Sequence, residues 1–331
     1  MSERNVRERL ARKLLRLLAQ AHDKGARLSY RLGVNNSPGV ESLNKLIRWL
    51  IGRALTHVES PFDIHGHKMF LNGCDDLSAQ VFLNFFEVTE TRLVSRMIRR
   101  GDVVLDIGAN IGFYTLLFAR LVGDSGRVYA FEPDPTNFAL LEKNVRANGY
   151  KNVELVRKAL ADENGKTRLY LAKNNRGMHR LYQPRRGGKS VEVDVVRLDD
   201  YFAADHTRIN FVKMDVEGAE SAVLRGMSAL LRKNRATMLL EFAPYAIKEC
   251  GAEPEALLQM VRGYGYEFFC YNEAVRRLDT VKVSELLKAY PPEEQKIINL
   301  LCVRQSAKAG TRQAGAASAV LARHVTPDRS P

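Results

Sequence analysis

An aspartate, two glycines and a glutamate carry the first chemical signal in this 331-residue chain. The run Val103-Val104-Leu105-Asp106-Ile107-Gly108-Ala109-Asn110-Ile111-Gly112 reads as a buried strand that ends at Asp106 and enters a tight turn. Gly108 permits that turn, and Gly112 lets the following helix pack close to the strand. Such a turn brings backbone against a ligand at the carboxyl edge of a sheet, with Asn110 as a further contact. Charge then selects the ligand. A dinucleotide or triphosphate site wants G-x-G-x-x-G or G-x-x-x-x-G-K-[ST], whose free N–H groups hold phosphates. Here the spacing is G-x-x-x-G with no following Lys, and Asp106 at the mouth would repel a pyrophosphate. It suits the cationic sulfonium and amino groups of S-adenosylmethionine instead. The next strand ends in Phe131-Glu132-Pro133, and an acidic residue about 20 positions past the glycine turn is where a ribose diol is expected. Glu132, 24 residues after Gly108, takes that place. Asp162, after a third strand, could reach the adenine amino group or could open a turn with Glu163, Asn164 and Gly165.

Methyl transfer from such a cofactor is an in-line displacement at carbon, so positioning supplies much of its acceleration. An alcohol acceptor must also lose its proton, and a placed general base is worth roughly 10²–10⁴-fold. Three carboxylates stand where that base belongs. Asp215 closes the apolar run Phe211-Val212-Lys213-Met214, Glu217 sits in the turn that Gly218 allows, and Glu220 follows. We expect Asp215 or Glu217 to face the acceptor, with Glu220 and Glu241 lining its pocket. Glu217 and Glu220 could instead only favour a helix N-terminus through its dipole. For Asp215 that explanation is poor, because a strand-end carboxylate beside the glycine turn is not a cap.

Asp215, Glu217 and Glu241 are also oxygen ligands of the kind Mg²⁺ or Ca²⁺ takes, but their spacing does not demand an ion, and no metal is expected. His65-Gly66-His67 has the look of a metal pair without the further ligands a site needs. His179, in a loop between two later strands, is a candidate acceptor contact whose ordinary pKa suits proton transfer.

These residues need a frame to hold them. From residue 101 onward strand-like runs alternate with helix-like ones. Strands are read at Val103 to Asp106, Arg127 to Glu132, Val153 to Arg157, Ile209 to Asp215, Thr237 to Glu241, Glu267 to Tyr271 and Ile297 to Val303. Helical patterns fall at about 112–122, 136–148, 219–233, 254–264 and 283–289. The alternation implies an α/β fold, a mostly parallel sheet with helices on both faces. Thr167 to Leu171 and Val191 to Val195 alternate around a loop rich in Asn, Arg and Gly, which reads as an inserted hairpin with a mobile loop over Asn174 to Gly188. Residues 1–60 form two basic amphipathic helices, with Leu10, Leu14, Leu17, Leu18 and Ala21 on one face of the first and Leu43, Leu46, Ile47, Leu50 and Ala54 on one face of the second. They could cap the catalytic region, pair with another subunit in a homo-oligomer, or touch an anionic membrane surface. Residues 304–331 are poor in large apolar side chains and are expected to be disordered. Three regions follow: 1–60 an extension, 61–303 the catalytic domain, 304–331 a tail.

The net charge of +13 invites a nucleic-acid partner, so its location decides. Residues 1–60 carry 12 Lys/Arg against 5 Asp/Glu and residues 303–331 carry 5 against 1, leaving 34 against 32 for residues 61–302. The catalytic region is therefore close to neutral, and no nucleic acid is expected as substrate. Cys74, Cys250, Cys270 and Cys302 are scattered, without C-x-x-C pairs, as in a reducing compartment. With no run of eighteen apolar residues and no signal-peptide block, a cytoplasmic location is expected, peripheral to the inner face of the membrane if the basic helices touch lipid.

Over residues 66–303 the chain resembles the FkbM-type methyltransferases. The resemblance rests on GDVVLDIGANIGFYTLLFAR, YAFEPDPTNFALLEKNV, FVKMDVEGAE and LLEFAP, with Phe86 to Glu90 as a further element. It implies a Rossmann-like class I fold with a seven-stranded sheet, and O-methylation of hydroxyls on polyketide, sugar or glycolipid-type substrates. Two rivals are weakened by residue type. Amino groups of bases are usually methylated through an Asn/Asp-Pro-Pro-aromatic block and cytosine carbon through a Cys, whereas this chain offers Asp215-Val216-Glu217-Gly218. A nicotinamide oxidoreductase lacks its G-x-G-x-x-G. A non-catalytic membrane scaffold that keeps the cofactor fold remains the third reading.

Overall fold

The computed structural model describes residues 3–31, 38–73, 75–172, 176–183, 188–204, 207–272 and 277–304. The tail expected to be disordered lies outside the described residues from 305 onward, as do 174–175 and 184–187 of the loop expected to be mobile.

Eight strands form the central sheet: β1 (Val103–Ile107), β2 (Arg127–Phe131), β3 (Val153–Val156), β4 (Phe211–Met214), β5 (Thr237–Phe242), β6 (Tyr266–Asn272), β7 (Arg277–Val281) and β8 (Ile298–Arg304). Their spatial order is β7-β6-β8-β5-β4-β1-β2-β3. β3, β2, β1, β4 and β5 pair in parallel, and β8 inserts antiparallel between β5 and β6. This is a Rossmann-like, doubly wound order, with its switch point between β1 and β4, where a ligand crevice opens at the carboxyl ends.

The expected sheet had seven strands; β7 is the eighth. It adds antiparallel to β6 at the sheet edge, and only Leu278 is buried among its five residues. Charged Arg277 and Asp279 on an edge strand deter further pairing, and they also hide the strand from an apolar-pattern reading. The helix expected over 219–233 is two helices, Glu220–Gly226 and Ser228–Lys233. They meet where Gly226 passes so close to Ala161 that a Cβ would stand 1.9 Å from its carbonyl oxygen. The inserted hairpin forms as Gly165–Tyr170 against Ser190–Val196, and Ala159–Leu160 joins it as a third strand.

Alternation along the strands divides the core. Leu105, Ile107, Phe131, Val212, Met214 and Leu240 pack on one face of the sheet, and Val104, Ala130, Phe211 and Leu239 on the other, beneath helix Phe113–Val122. Asp106, Lys213 and Glu241 share that second face by the two-residue period, at the carboxyl end where apolar packing gives way to the crevice. The N-terminal helices are α1 (Glu3–Arg31) and α2 (Pro38–Leu55). They meet through Leu15, Ile47, Ile51, Ala54 and Leu55, and close on Ala79 of helix Asp76–Phe82. No helix among the described residues is long and apolar enough to cross a membrane.

Candidate active site

The crevice at the switch point is an open cleft. Most of the residues singled out by sequence line it: Asp106, Gly108, Asn110, Glu132, His179, Asp215, Glu217 and Glu241.

The glycine turn is built by contact. Gly108 adopts φ +82°, and a Cβ there would stand 1.8 Å from the carbonyl oxygen of Asp215. No side chain fits between the turns after β1 and β4. The N–H groups of Gly108 and Ala109 both donate to Phe131 O, at 3.0 and 2.9 Å, tying the turn to the end of β2. Gly112, at φ +93°, has Leu141 where its Cβ would be. It lies behind the turn as a packing residue and holds the start of helix Phe113–Val122. Asn110 is left-handed at φ +50°, and its N–H donates to Glu132 Oε2 at 2.8 Å. The other carboxylate oxygen of Glu132 accepts from Asp134 N–H at 2.9 Å. Two backbone donors thus fix the Glu132 carboxylate at the cleft wall, where burial pushes its pKa up to about 8 against their pull.

Sequence reasoning missed the centre of the electrostatics. Lys213 stands cross-strand from Asp106, is 3% exposed, and places Nζ 3.0 Å from Asp215 Oδ2 and 4.8 Å from the centre of the Tyr114 ring. Burial works against its charge, yet Asp215, Glu87 and Asp106 raise its pKa above the ordinary lysine value. Glu87 was missed as well. Its carboxylate accepts from Tyr114 OH at 2.5 Å, and burial, with Asp215 and Glu90 nearby, moves its pKa up to about 7 against the pull of Lys213. The one available signal for Lys213 was a charge inside the apolar run of β4, and for Glu87 its place in the segment Phe86 to Glu90.

Asp106 accepts from Thr115 Oγ1 at 2.5 Å, and burial moves its pKa up to about 6. Its second oxygen has no protein partner, and neither has the side-chain oxygen of Asn110. Glu217 adopts φ +53°, a left-handed backbone uncommon for a non-glycine residue. Burial and then Asp215 push its pKa up to about 8. Glu241 is raised well above the ordinary range by burial, Asp215, Glu217 and Glu220. Glu217 Oε2 and Glu241 Oε2 are buried without a hydrogen-bond partner. Asp215, Glu217 and Glu241 each bring a carboxylate oxygen within 4.8 Å of the others. Such a trio could hold a hard cation. It could equally hold protons, or the positive charge of an organic ligand.

Two expected contacts, Asp162 and Glu220, are placed otherwise. Asp162 is not in the cleft wall; it is half exposed and receives Arg225 Nε at 2.6 Å. Glu220 is fully buried but turns back, its Oε1 accepting from Val216 N–H at 3.3 Å and Gly218 N–H at 3.2 Å. It braces the turn that presents Glu217. His179 lines the cleft, but its Nδ1 accepts from Ala172 N–H at 3.0 Å and its Nε2 stands 3.8 Å from Asp134. Those contacts fit a wall residue better than a base. His65 lies in a turn and His67 is buried against Tyr150 OH at 2.9 Å, where burial depresses its pKa to about 4. Among the described cysteines, Cys250, Cys270 and Cys302 are free thiols.

Residues 106–268 match the family model described as the methyltransferase FkbM domain. The 31-O-demethyl-FK506 methyltransferase FkbM of Streptomyces tacrolimicus is 34% identical over 161 residues, 39% of this chain and 61% of that protein. The 2-O-methyltransferase NoeI of Sinorhizobium fredii is 28% identical over 160 residues, 44% of this chain and 65% of its own. The hexuronic acid methyltransferase AglP of Haloferax volcanii is 31% identical over 146 residues, 43% of this chain and 56% of its own. The chain spans between 56% and 65% of the length of these relatives.

Proposed function

Because the chain carries an FkbM methyltransferase domain over residues 106–268, we propose that it moves a methyl group from S-adenosylmethionine to a hydroxyl of a small molecule or sugar. The observation that carries this reading is the pair of unpartnered buried oxygens on Glu217 and Glu241, in the cleft that Glu132 and the Gly108 turn also line. Buried acids without partners are costly unless a cation, proton or donor completes them. A cationic nucleoside and a hydroxyl acceptor would complete them.

When bound, S-adenosylmethionine supplies an electrophilic methyl group on a positively charged sulfur. Glu132, held by Asn110 and Asp134, is placed to accept from a ribose diol. Asp106 and Asn110 each keep an oxygen for further donors. Asp215 receives Lys213 Nζ on its Oδ2 at 3.0 Å. Of the two bases foreseen, Asp215 thus has its Oδ2 already engaged by Lys213. Glu217 is the better one: its raised pKa lies near working pH, its Oε2 is unengaged, and it ionises more readily beside a cation. It takes the hydroxyl proton as the oxygen–carbon bond forms and the carbon–sulfur bond breaks. The relatives' names, a 2-O-methyltransferase and a hexuronic acid methyltransferase among them, support an oxygen acceptor on a sugar.

The test is a panel of sugars, glycolipids and polyketide alcohols incubated with labelled cofactor, with S-adenosylhomocysteine release and product mapping as readouts. Label on a hydroxyl is expected. Transfer confined to nucleic acid or to nitrogen acceptors would overturn the proposal.

A further inference from the structure

The N-terminal helices bury one face and leave a second apolar ridge in solvent. On α1 the inward residues are Ala11 and Leu15, while Val6, Leu10, Leu14 and Leu17, spaced by four, four and three, are 40–62% exposed. On α2 the inward residues are Ile47, Ile51, Ala54 and Leu55, while Leu43, Leu46 and Trp49, spaced by three, are 51–58% exposed. Such spacing puts each set on one side of its helix. Seven of the nine exposed large hydrophobic residues among those described belong to these two helices. Single exposed leucines need no explanation, but a concentration does.

Basic residues border the ridge. Arg9, Lys13 and Arg16 each precede an exposed leucine of α1 and are themselves exposed, and the Arg53 guanidinium lies 5.4 Å from the centre of the Trp49 ring. Across α1 and α2, twelve Lys/Arg stand against four Asp/Glu. We propose that this outer face of α1 and α2 docks on an anionic lipid bilayer, the helices lying in the interface with leucines and Trp49 inserted and the basic rows at headgroup level. Charge selects this occupant. A second copy of the chain would set two strongly positive faces together, whereas an anionic leaflet supplies the opposite sign. Nucleic acid would match the charge but gives the leucine ridge nothing to bury in.

The docking face is one helix away from the cleft. Helix Asp76–Phe82 packs on α2 through Ala79 and lines the cleft with Leu77 and Gln80. The proposal stands apart from the methyl-transfer reading, since it concerns only the outer face of α1 and α2.

The experiment is co-sedimentation of the full chain with phosphatidylcholine vesicles and with vesicles that also carry phosphatidylglycerol. Two variants accompany it, L10Q/L14Q/W49Q and R9Q/K13Q/R16Q, all at exposed positions, with thermal unfolding as the folding control. The wild type should pellet with the anionic vesicles at least about tenfold more than with neutral ones, and each variant should lose at least about tenfold in partition at unchanged melting temperature. Wild type that stays in the supernatant overturns the proposal. So does light scattering that shows a dimer which the leucine variant dissolves without any vesicle binding, or a basic face that retains RNA and not vesicles.

Discussion

Replacing Glu217 by Gln should make the protein more stable and less active at once. The carboxyl is 8% exposed, and burial beside Asp215 pushes its pKa up to about 8. An unfolded chain ionises the same group near 4.5. The sign follows from the raised value: the proton-linked stability is full below the unfolded pKa and is lost as pH rises through the folded one. At pH 7.5 an unrelaxed site would hold about three pH units of that penalty, roughly 4 kcal/mol at 1.36 kcal/mol per unit. Sharing of the proton with Glu241 and local relaxation reduce this to an expected gain of about 1–3 kcal/mol. Gln keeps the shape and cannot ionise, so the variant should melt several degrees higher at pH 8, at about 2–4 °C per kcal/mol for a domain of this class. The difference should shrink as pH falls toward 5. Calorimetric scans across that range, in the absence of ligand, read it directly. Methyl transfer by the same variant should fall by roughly 10²–10⁴, the worth of a general base. A variant less stable than wild type at pH 8, or a gap that does not narrow on acidification, would refute the buried-acid reasoning. Unchanged turnover would refute the base assignment.

Other outcomes follow from the same geometry. Gly108→Ala forces a Cβ toward the Asp215 carbonyl at a left-handed φ, so cofactor binding measured by calorimetry should be lost, with a drop of about 1–3 kcal/mol in denaturant stability. Asp162→Asn breaks a half-exposed pair with Arg225 outside the cleft, and should leave cofactor affinity unchanged and cost at most about 1 kcal/mol. If protons and the cationic cofactor, rather than an ion, satisfy Asp215, Glu217 and Glu241, turnover should survive EDTA; loss that Mg²⁺ or Ca²⁺ restores would show the trio to be a metal site.

Sequence reading succeeded where local geometry carried the information. Asp106, Gly108, Gly112 and Glu132 follow one another along a strand, a turn and the next strand, so their order alone implied the cleft. Lys213 and Glu87 were invisible because their meaning is non-local. A lysine in an apolar strand acquires a role only when β1 places Asp106 across from it and helix Phe113–Val122 brings Tyr114 above it. Asp162 went the other way, because Arg225 on helix Glu220–Gly226 claimed its carboxylate. Glu220 stood in the same acidic run as Glu217, yet the left-handed turn at Glu217 and Gly218 sends one into the cleft and the other back onto the backbone. The alternating apolar pattern located seven strands, and β7 escaped it because an edge strand with one buried side chain barely alternates.

The most direct test of the account is calorimetric titration of S-adenosylmethionine into the wild type and into Glu132→Ala. Binding to the wild type is expected, with a loss of at least about tenfold in the variant, the worth of one charged hydrogen bond of 1.5 kcal/mol or more. No binding to the wild type, or equal binding by the two proteins, would contradict the assignment of this cleft to the cofactor.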